Sequence, residues 1–168
     1  IDGPQSGGSF PLDPSRYVPH GDDVDKHGNV YGRAPHKHPA VKSATRDALV
    51  ARLVEFERVV EVGIGNRPDV AAALADRVAV TATDVVPREV PEGVRFVLDD
   101  VTDPAPGVYE AADALYALNL PPELHRPALT AARRHDAALA FTTLGAEQPA
   151  VQVRRETLPG ETLFWARE

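Results

Sequence analysis

A short apolar run that ends in two spaced glycines and leads into a helix constrains this chain more than any other feature. The segment is VVEVGIGNRPDV at residues 59–70. Its first four residues read as a buried strand, and Gly63 and Gly65 stop it. Glycine accepts positive φ and has no side chain, so the backbone there can approach a ligand closely. Pro68 suits the first turn of a helix, where its missing N–H is no loss, and Asp69 suits the positive end of that helix. The helix continues through VAAALADR. Asp84 lies 19 residues beyond Gly65, at the end of the next strand, where a carboxylate would accept hydrogen bonds from a ribose diol. A plainer account is also open, in which the glycines serve only a tight turn and Asp84 only starts a loop.

The rest of the chain from residue 41 is regular. Leu49, Leu53 and Phe56 recur at helical spacing, which predicts an amphipathic helix over about residues 42–57. Four further strand-like runs lie at residues 78–83, 94–98, 112–118 and 137–143. Between the last two, residues 121–135 are helical in composition, with Pro127 expected to kink or delay the helix. The terminal segments VQVRRETL and ETLFWARE flank Pro159-Gly160 and alternate as an antiparallel hairpin should. The order reads αβαβ, loop, βαβαβ, then hairpin. Such alternation calls for an open, mostly parallel sheet covered on both faces.

Charge and composition exclude several functions. The net charge of −7 opposes nucleic-acid binding, which needs basic patches to release counterions. No stretch approaches the roughly 20 apolar residues that span a bilayer, and a soluble, cytoplasmic chain is expected. Without Cys there are no disulfides, thiolate metal sites or thiol nucleophiles. Only three Lys, against abundant Asp, Ala, Val and Arg, fit a halophilic source or mere codon bias. There is no G-x-S-x-G elbow, Walker loop or His-Glu-x-x-His.

The succession EVGIGN, TATD, FVLDD and ADALYALNLPPEL resembles the ordered motifs of class I S-adenosylmethionine-dependent methyltransferases. More closely, residues 41–168 resemble a small uncharacterised archaeal protein family whose members look like truncated versions of that fold. The resemblance implies that Glu61, Gly63 and Gly65, with Asn66 in the same loop, surround the methionine part of the cofactor. It implies that Asp84 binds the ribose and that Asp99 or Asp100 lies near the adenine amino group. For that last pair a solvated turn is an equal alternative. The chain departs from the pattern at Arg67, where a third glycine is common, and at Pro68, where dinucleotide-binding proteins have a helix-packing glycine. Asp69 in the first turn opposes a pyrophosphate, although Arg67 could pair with one.

At the end of the fourth strand, Asn119-Leu120-Pro121-Pro122-Glu123 resembles the substrate segment of amino-methylating enzymes, with Leu120 inserted and Glu123 in place of the stacking aromatic. A Pro-Pro strand stop followed by a helix start is the favoured account of this segment. If a reaction occurs, Asn119 orients the substrate, and Glu123 or His125 serves as acid or base. His135 reads as a cation near a helix C-terminus.

The expected architecture is an α/β, Rossmann-like three-layer αβα sandwich with strand order 3-2-1-4-5 and a C-terminal antiparallel hairpin. The function implied by the resemblance is S-adenosylmethionine binding, with methyl transfer to an unknown acceptor. Two alternatives stand beside it: a non-catalytic nucleotide-sensing or partner-binding module, and an NAD(P)-dependent oxidoreductase.

Residues 1–40 read differently, with six Gly and six Pro and no apolar period. A disordered tail is expected there, and Val41 suits an alternative initiator. His20, His27, His36 and His38 match no structural zinc spacing. Residues 41–168 then carry 14 basic and 20 acidic side chains, a net charge of −6. If the tail is not part of the working unit, mass spectrometry of the natively expressed protein will lack peptides from residues 6–33. Their detection would refute it.

Overall fold

The computed structural model describes residues 42–167. The expected tail and its four histidines lie outside the described residues. The elements run α1 (Ser43–Leu53), β1 (Arg58–Val62), α2 (Asp69–Ala75), β2 (Ala79–Asp84), β3 (Val94–Leu98), β4 (Ala114–Ala117), α3 (Pro122–Arg134), β5 (Ala138–Phe141), β6 (Val153–Leu158) and β7 (Glu161–Ala166). They form one sheet of order β3-β2-β1-β4-β5-β7-β6. The first five strands are parallel, and β7 returns antiparallel beside β5 and pairs with β6. This is the expected parallel sheet with a terminal hairpin.

Strand alternation divides the core into two apolar layers, because successive side chains point to opposite faces. Val59, Ala114, Tyr116 and Ala140 face α1 and α2, where Leu49, Leu53, Val70 and Leu74 meet them. Val60, Val62, Leu115, Ala117, Leu139 and Phe141 face the other way, onto Ala128, Ala131 and Ala132 of α3. Alanines on α3 let the helix lie close to the sheet. Among the described residues no helix is long and apolar enough to cross a membrane.

Three expectations need correction. Helix α1 ends at Leu53, not near residue 57, and a turn follows. Pro127 sits inside α3, which nevertheless starts at Pro122 and runs to Arg134. The helix anticipated between the third and fourth strands is absent. Residues 99–113 form turns instead, and Val101, Tyr109 and Ala112 from this segment fill the layer beside α3. The reason is local: Pro104 and Pro106 have no N–H to give a helix, and the Asp99 carboxylate takes the Ala105 N–H at 2.8 Å.

The hairpin is fastened to both faces. Phe141 of β5 is register partner to Phe164 of β7, with ring centroids 5.6 Å apart, and packs 4.5 Å from His125. On the other face Arg52 of α1 pairs with Glu156 of β6, which also accepts the Trp165 indole N–H at 2.9 Å. The Thr45 hydroxyl donates to the Pro159 carbonyl at the hairpin turn. Phe141 is fully buried, so Phe141→Ala is expected to cost about 3–5 kcal/mol, measured by denaturant unfolding.

Candidate functional site

β1 and β4 are neighbours from which successive connections depart in opposite directions, and ligands of open α/β sheets bind beyond the carboxyl ends at such a point. The glycine turn leaves β1 there, with φ of +71° at Gly63 and +56° at Gly65. A Cβ at either would meet nothing within 4 Å. Dihedral strain, not crowding, therefore demands glycine, and the turn borders open space. Its donors are already taken. The Gly63 and Ile64 N–H groups donate to the Thr83 carbonyl at 2.9 and 3.0 Å, and the Gly65 N–H donates to Asp84 Oδ2 at 2.8 Å.

Asp84 is thus tied into the loop that the sequence pairs it with. Its Oδ1 accepts the Val86 N–H at 3.2 Å, and Arg88 Nε lies 3.3 Å from Oδ2. Arg88 also donates from Nη1 to Asn66 Oδ1 at 2.9 Å, so one guanidinium links the exposed Asn66 to the buried carboxylate. Arg88 Nε is itself buried and lacks a well-aligned acceptor. Sequence reasoning missed this residue. Its position four after Asp84, in the loop beyond the strand, was the available signal.

Glu61 is 1% exposed and points into the layer beneath α2. Its Oε2 accepts the Tyr116 hydroxyl at 2.7 Å, from the register partner on β4. Burial pushes the Glu61 carboxyl up to about 8, against the hydrogen bond from Tyr116 and helped by the charge of Asp69. Burial likewise raises the Tyr116 phenol, with Glu61 adding to it. The pair holds one proton-sensitive acid at the root of the glycine turn.

The two candidates after β3 separate. Asp99 is buried and holds its own loop, accepting from Ala105 N–H and, at 3.1 Å, from the Tyr109 hydroxyl. Asp100 is exposed and accepts both the N–H and the hydroxyl of Thr102, at 2.9 and 2.7 Å, which lowers its pKa. That geometry matches the solvated-turn account.

Asn119 leaves β4 with φ +54°, a conformation Asn tolerates better than most residues, and its N–H donates to Thr142 Oγ1 at 2.8 Å. Glu123 is exposed in the first turn of α3, where a carboxylate suits the helix dipole. His125, the other candidate acid or base, is turned into the core. It is fully buried, with Nε2 2.8 Å from the Leu120 carbonyl, and its Nδ1 accepts the Ala150 N–H at 3.0 Å. With Nδ1 accepting, Nε2 carries the proton and both ring nitrogens are occupied. His135 caps the C-terminal end of α3, as expected.

Among the described residues four large apolar side chains are exposed, Val85, Val86, Leu98 and Leu144. All follow or end strands on the carboxyl side of the sheet, and Leu98 is the register partner of Asp84. Periodicity alone does not single them out, because it assigns strand or loop and not exposure.

The sequence model of an uncharacterised protein family, UPF0146, matches residues 45–168. A UPF0146 protein of Halobacterium salinarum is 57% identical over 122 residues, covering 71% of this chain and 95% of the relative. A UPF0146 protein of Archaeoglobus fulgidus is 50% identical over 78 residues, 46% of this chain and 60% of the relative. Among solved structures, the N-methyltransferase NodS of Bradyrhizobium japonicum WM9 superposes with a TM-score of 0.50 at 16% identity, over 73% of this chain and 95% of that one. The magnesium protoporphyrin IX methyltransferase of Synechocystis PCC 6803, solved with bound SAM, gives 0.50 at 14% identity, over 79% and 87%. At such identities the likeness is one of fold.

The raised Glu61 pKa has a measurable consequence. The folded state keeps its proton up to about pH 8 while the unfolded chain loses it near the ordinary value of 4.5. The contribution of this group to stability is therefore full below pH 4.5 and falls as pH rises towards 8. Glu61→Gln keeps an acceptor for Tyr116 and cannot titrate. The stability of wild type relative to this variant should fall by at most about 1.4 kcal/mol per pH unit across that window, read from urea unfolding. A difference independent of pH would contradict the assignment.

Proposed function

The chain belongs to the uncharacterised protein family UPF0146, and from that premise we propose that it binds S-adenosylmethionine beyond the carboxyl ends of β1 and β2, for methyl transfer to an acceptor. The observation that carries this is the state of the glycine turn. Its open side faces space, yet the N–H groups of residues 63, 64 and 65 are already donated to β2. A pyrophosphate would need such donors, together with a helix N-terminus free of negative charge. Here α2 has only 7 residues and Asp69 in its first turn. Support for NAD(P) is correspondingly weak, whereas S-adenosylmethionine carries no phosphate.

The residues present fit that group. Val85 and Leu98 offer exposed apolar surface beside Asp84 for an adenine ring, and Oδ1 of Asp84 retains acceptor capacity for a ribose hydroxyl. Glu61 stands next to the turn, where a ligand ammonium would draw off its proton. When bound, the cofactor supplies a methyl group already activated on a sulfonium sulfur. The protein then has mainly to align it, so a positioning residue such as Asn119 matters more than an ionisable catalyst.

A second reading, a binding module without turnover, is favoured by Arg88, which already engages Asp84 and Asn66. Both readings predict cofactor binding, and only the first predicts loss of the methyl group.

Calorimetric titration with S-adenosylmethionine, S-adenosylhomocysteine and NAD tests the site. The first two are expected to bind and NAD not to. Val85→Glu, at an exposed position, should weaken binding at least about tenfold, the equivalent of about 1.4 kcal/mol, and Asp84→Asn should do likewise. No heat with either sulfur ligand, in salt that maintains the fold, would overturn the proposal. Unchanged affinity in Val85→Glu would overturn the adenine position.

A further inference from the structure

The outer flank of α3 carries a second concave site. Arg126, Thr130 and Arg133 line one wall of a cavity of about 390 Å³, and Gln152 and Arg167 line the other, at the start of β6 and the end of β7. Its apolar surface comes from Leu129 and Val151. The spacing of 126, 130 and 133 places these side chains on one stripe of the helix. Among the described residues no carboxylate lines this cavity, and Asp136 lines an adjoining hollow that shares Leu129, Arg133 and Arg167. Among the described residues, the ion pairs are Arg46–Asp47, Arg52–Glu156 and Arg88–Asp84, so Arg126, Arg133 and Arg167 are not charge-paired there. One recorded polar contact joins the walls, from Arg133 Nη2 to the Arg167 carbonyl at 3.1 Å.

Three arginines line one hollow and their like charges repel, in a chain of net charge −7 where carboxylates to neutralise them are plentiful. Among the described residues none lines this hollow. We propose that this cavity binds a phosphomonoester, with the phosphate held by Arg126, Arg133 and Arg167 and an apolar or aromatic body resting on Leu129 and Val151. Guanidinium forks match the oxygens of a dianionic phosphate in pairs. The hollow falls within the usual size of small-molecule sites, roughly 300–1,000 Å³. A single phosphate with a short organic body fills it, and a polymer does not follow, because the surrounding chain is acidic. The site owes nothing to the cofactor reading: it shares no residue with the glycine turn or Asp84.

The test is calorimetric titration of the full chain with phenyl phosphate and, separately, inorganic phosphate, at constant ionic strength. Saturable binding of phenyl phosphate is expected, with inorganic phosphate weaker. Arg126→Gln and Arg167→Gln, both at exposed positions, should each weaken it at least tenfold, with circular dichroism showing the fold retained. Arg95→Gln, on the exposed side of β3, should leave it unchanged. Non-saturable binding, equal loss in Arg95→Gln, or retention in both Arg126→Gln and Arg167→Gln would overturn the proposal. Equal affinity for inorganic phosphate would overturn the role of Leu129 and Val151. Preference for an RNA oligonucleotide over phenyl phosphate at the same residues would overturn the small-molecule assignment.

Discussion

The carboxylate of Asp84 holds the working edge of this protein together. It reaches back from the end of β2 to the Gly65 N–H, and the neighbouring Thr83 carbonyl takes the two preceding amides. The glycine turn is therefore held in a defined shape by the protein's own bonds. The same bonds remove the turn from the class of phosphate cradles, since a donor spent inside the protein is not available to an anion. Arg88 balances the buried charge and reaches Asn66, so the loops after β1 and β2 are joined by side chains as well as by backbone.

A second polar pair lies one layer deeper. Glu61 and Tyr116 face each other across β1 and β4 within an otherwise apolar layer, at the point where the sheet order reverses. A hydrocarbon pair of equal volume would pack there with less penalty, because burial opposes the charged carboxylate. The cost falls where strands diverge and a ligand can reach the turn, which is where proton-sensitive groups of functional sites concentrate. Far from it, α3 covers the opposite face with alanine and turns its arginines outward.

Much of the fold was legible because periodicity is local. Strands of four to six residues bounded by Gly, Pro and Asp gave the parallel order, and Pro159-Gly160 gave the hairpin. What misled the reading was competition between side chain and backbone. Asp99 binds Ala105 and Tyr109 and thereby organises a helix-free crossing, and nothing in the spacing of Asp99 and Asp100 separates a loop anchor from a ligand contact. His125 reads as a candidate acid or base because it stands shortly after the fourth strand, beside the expected crevice. Only its burial and its two partners show it to be a structural strut between Leu120 and Ala150.

The sequence by itself determined the element order, the strand that ends in Gly63 and Gly65, and the pairing of that turn with an acid one strand later. Those features depend on dihedral preference and on side-chain alternation, which act within a few residues. Tertiary structure alone decided which carboxylates remain available. It brought Arg88 onto Asp84, set Tyr116 against Glu61, and gathered Arg126, Arg133 and Arg167 around one hollow from a helix and a distant strand end. Availability is a matter of burial and partners, and both are fixed by which strands lie side by side, which no local pattern records.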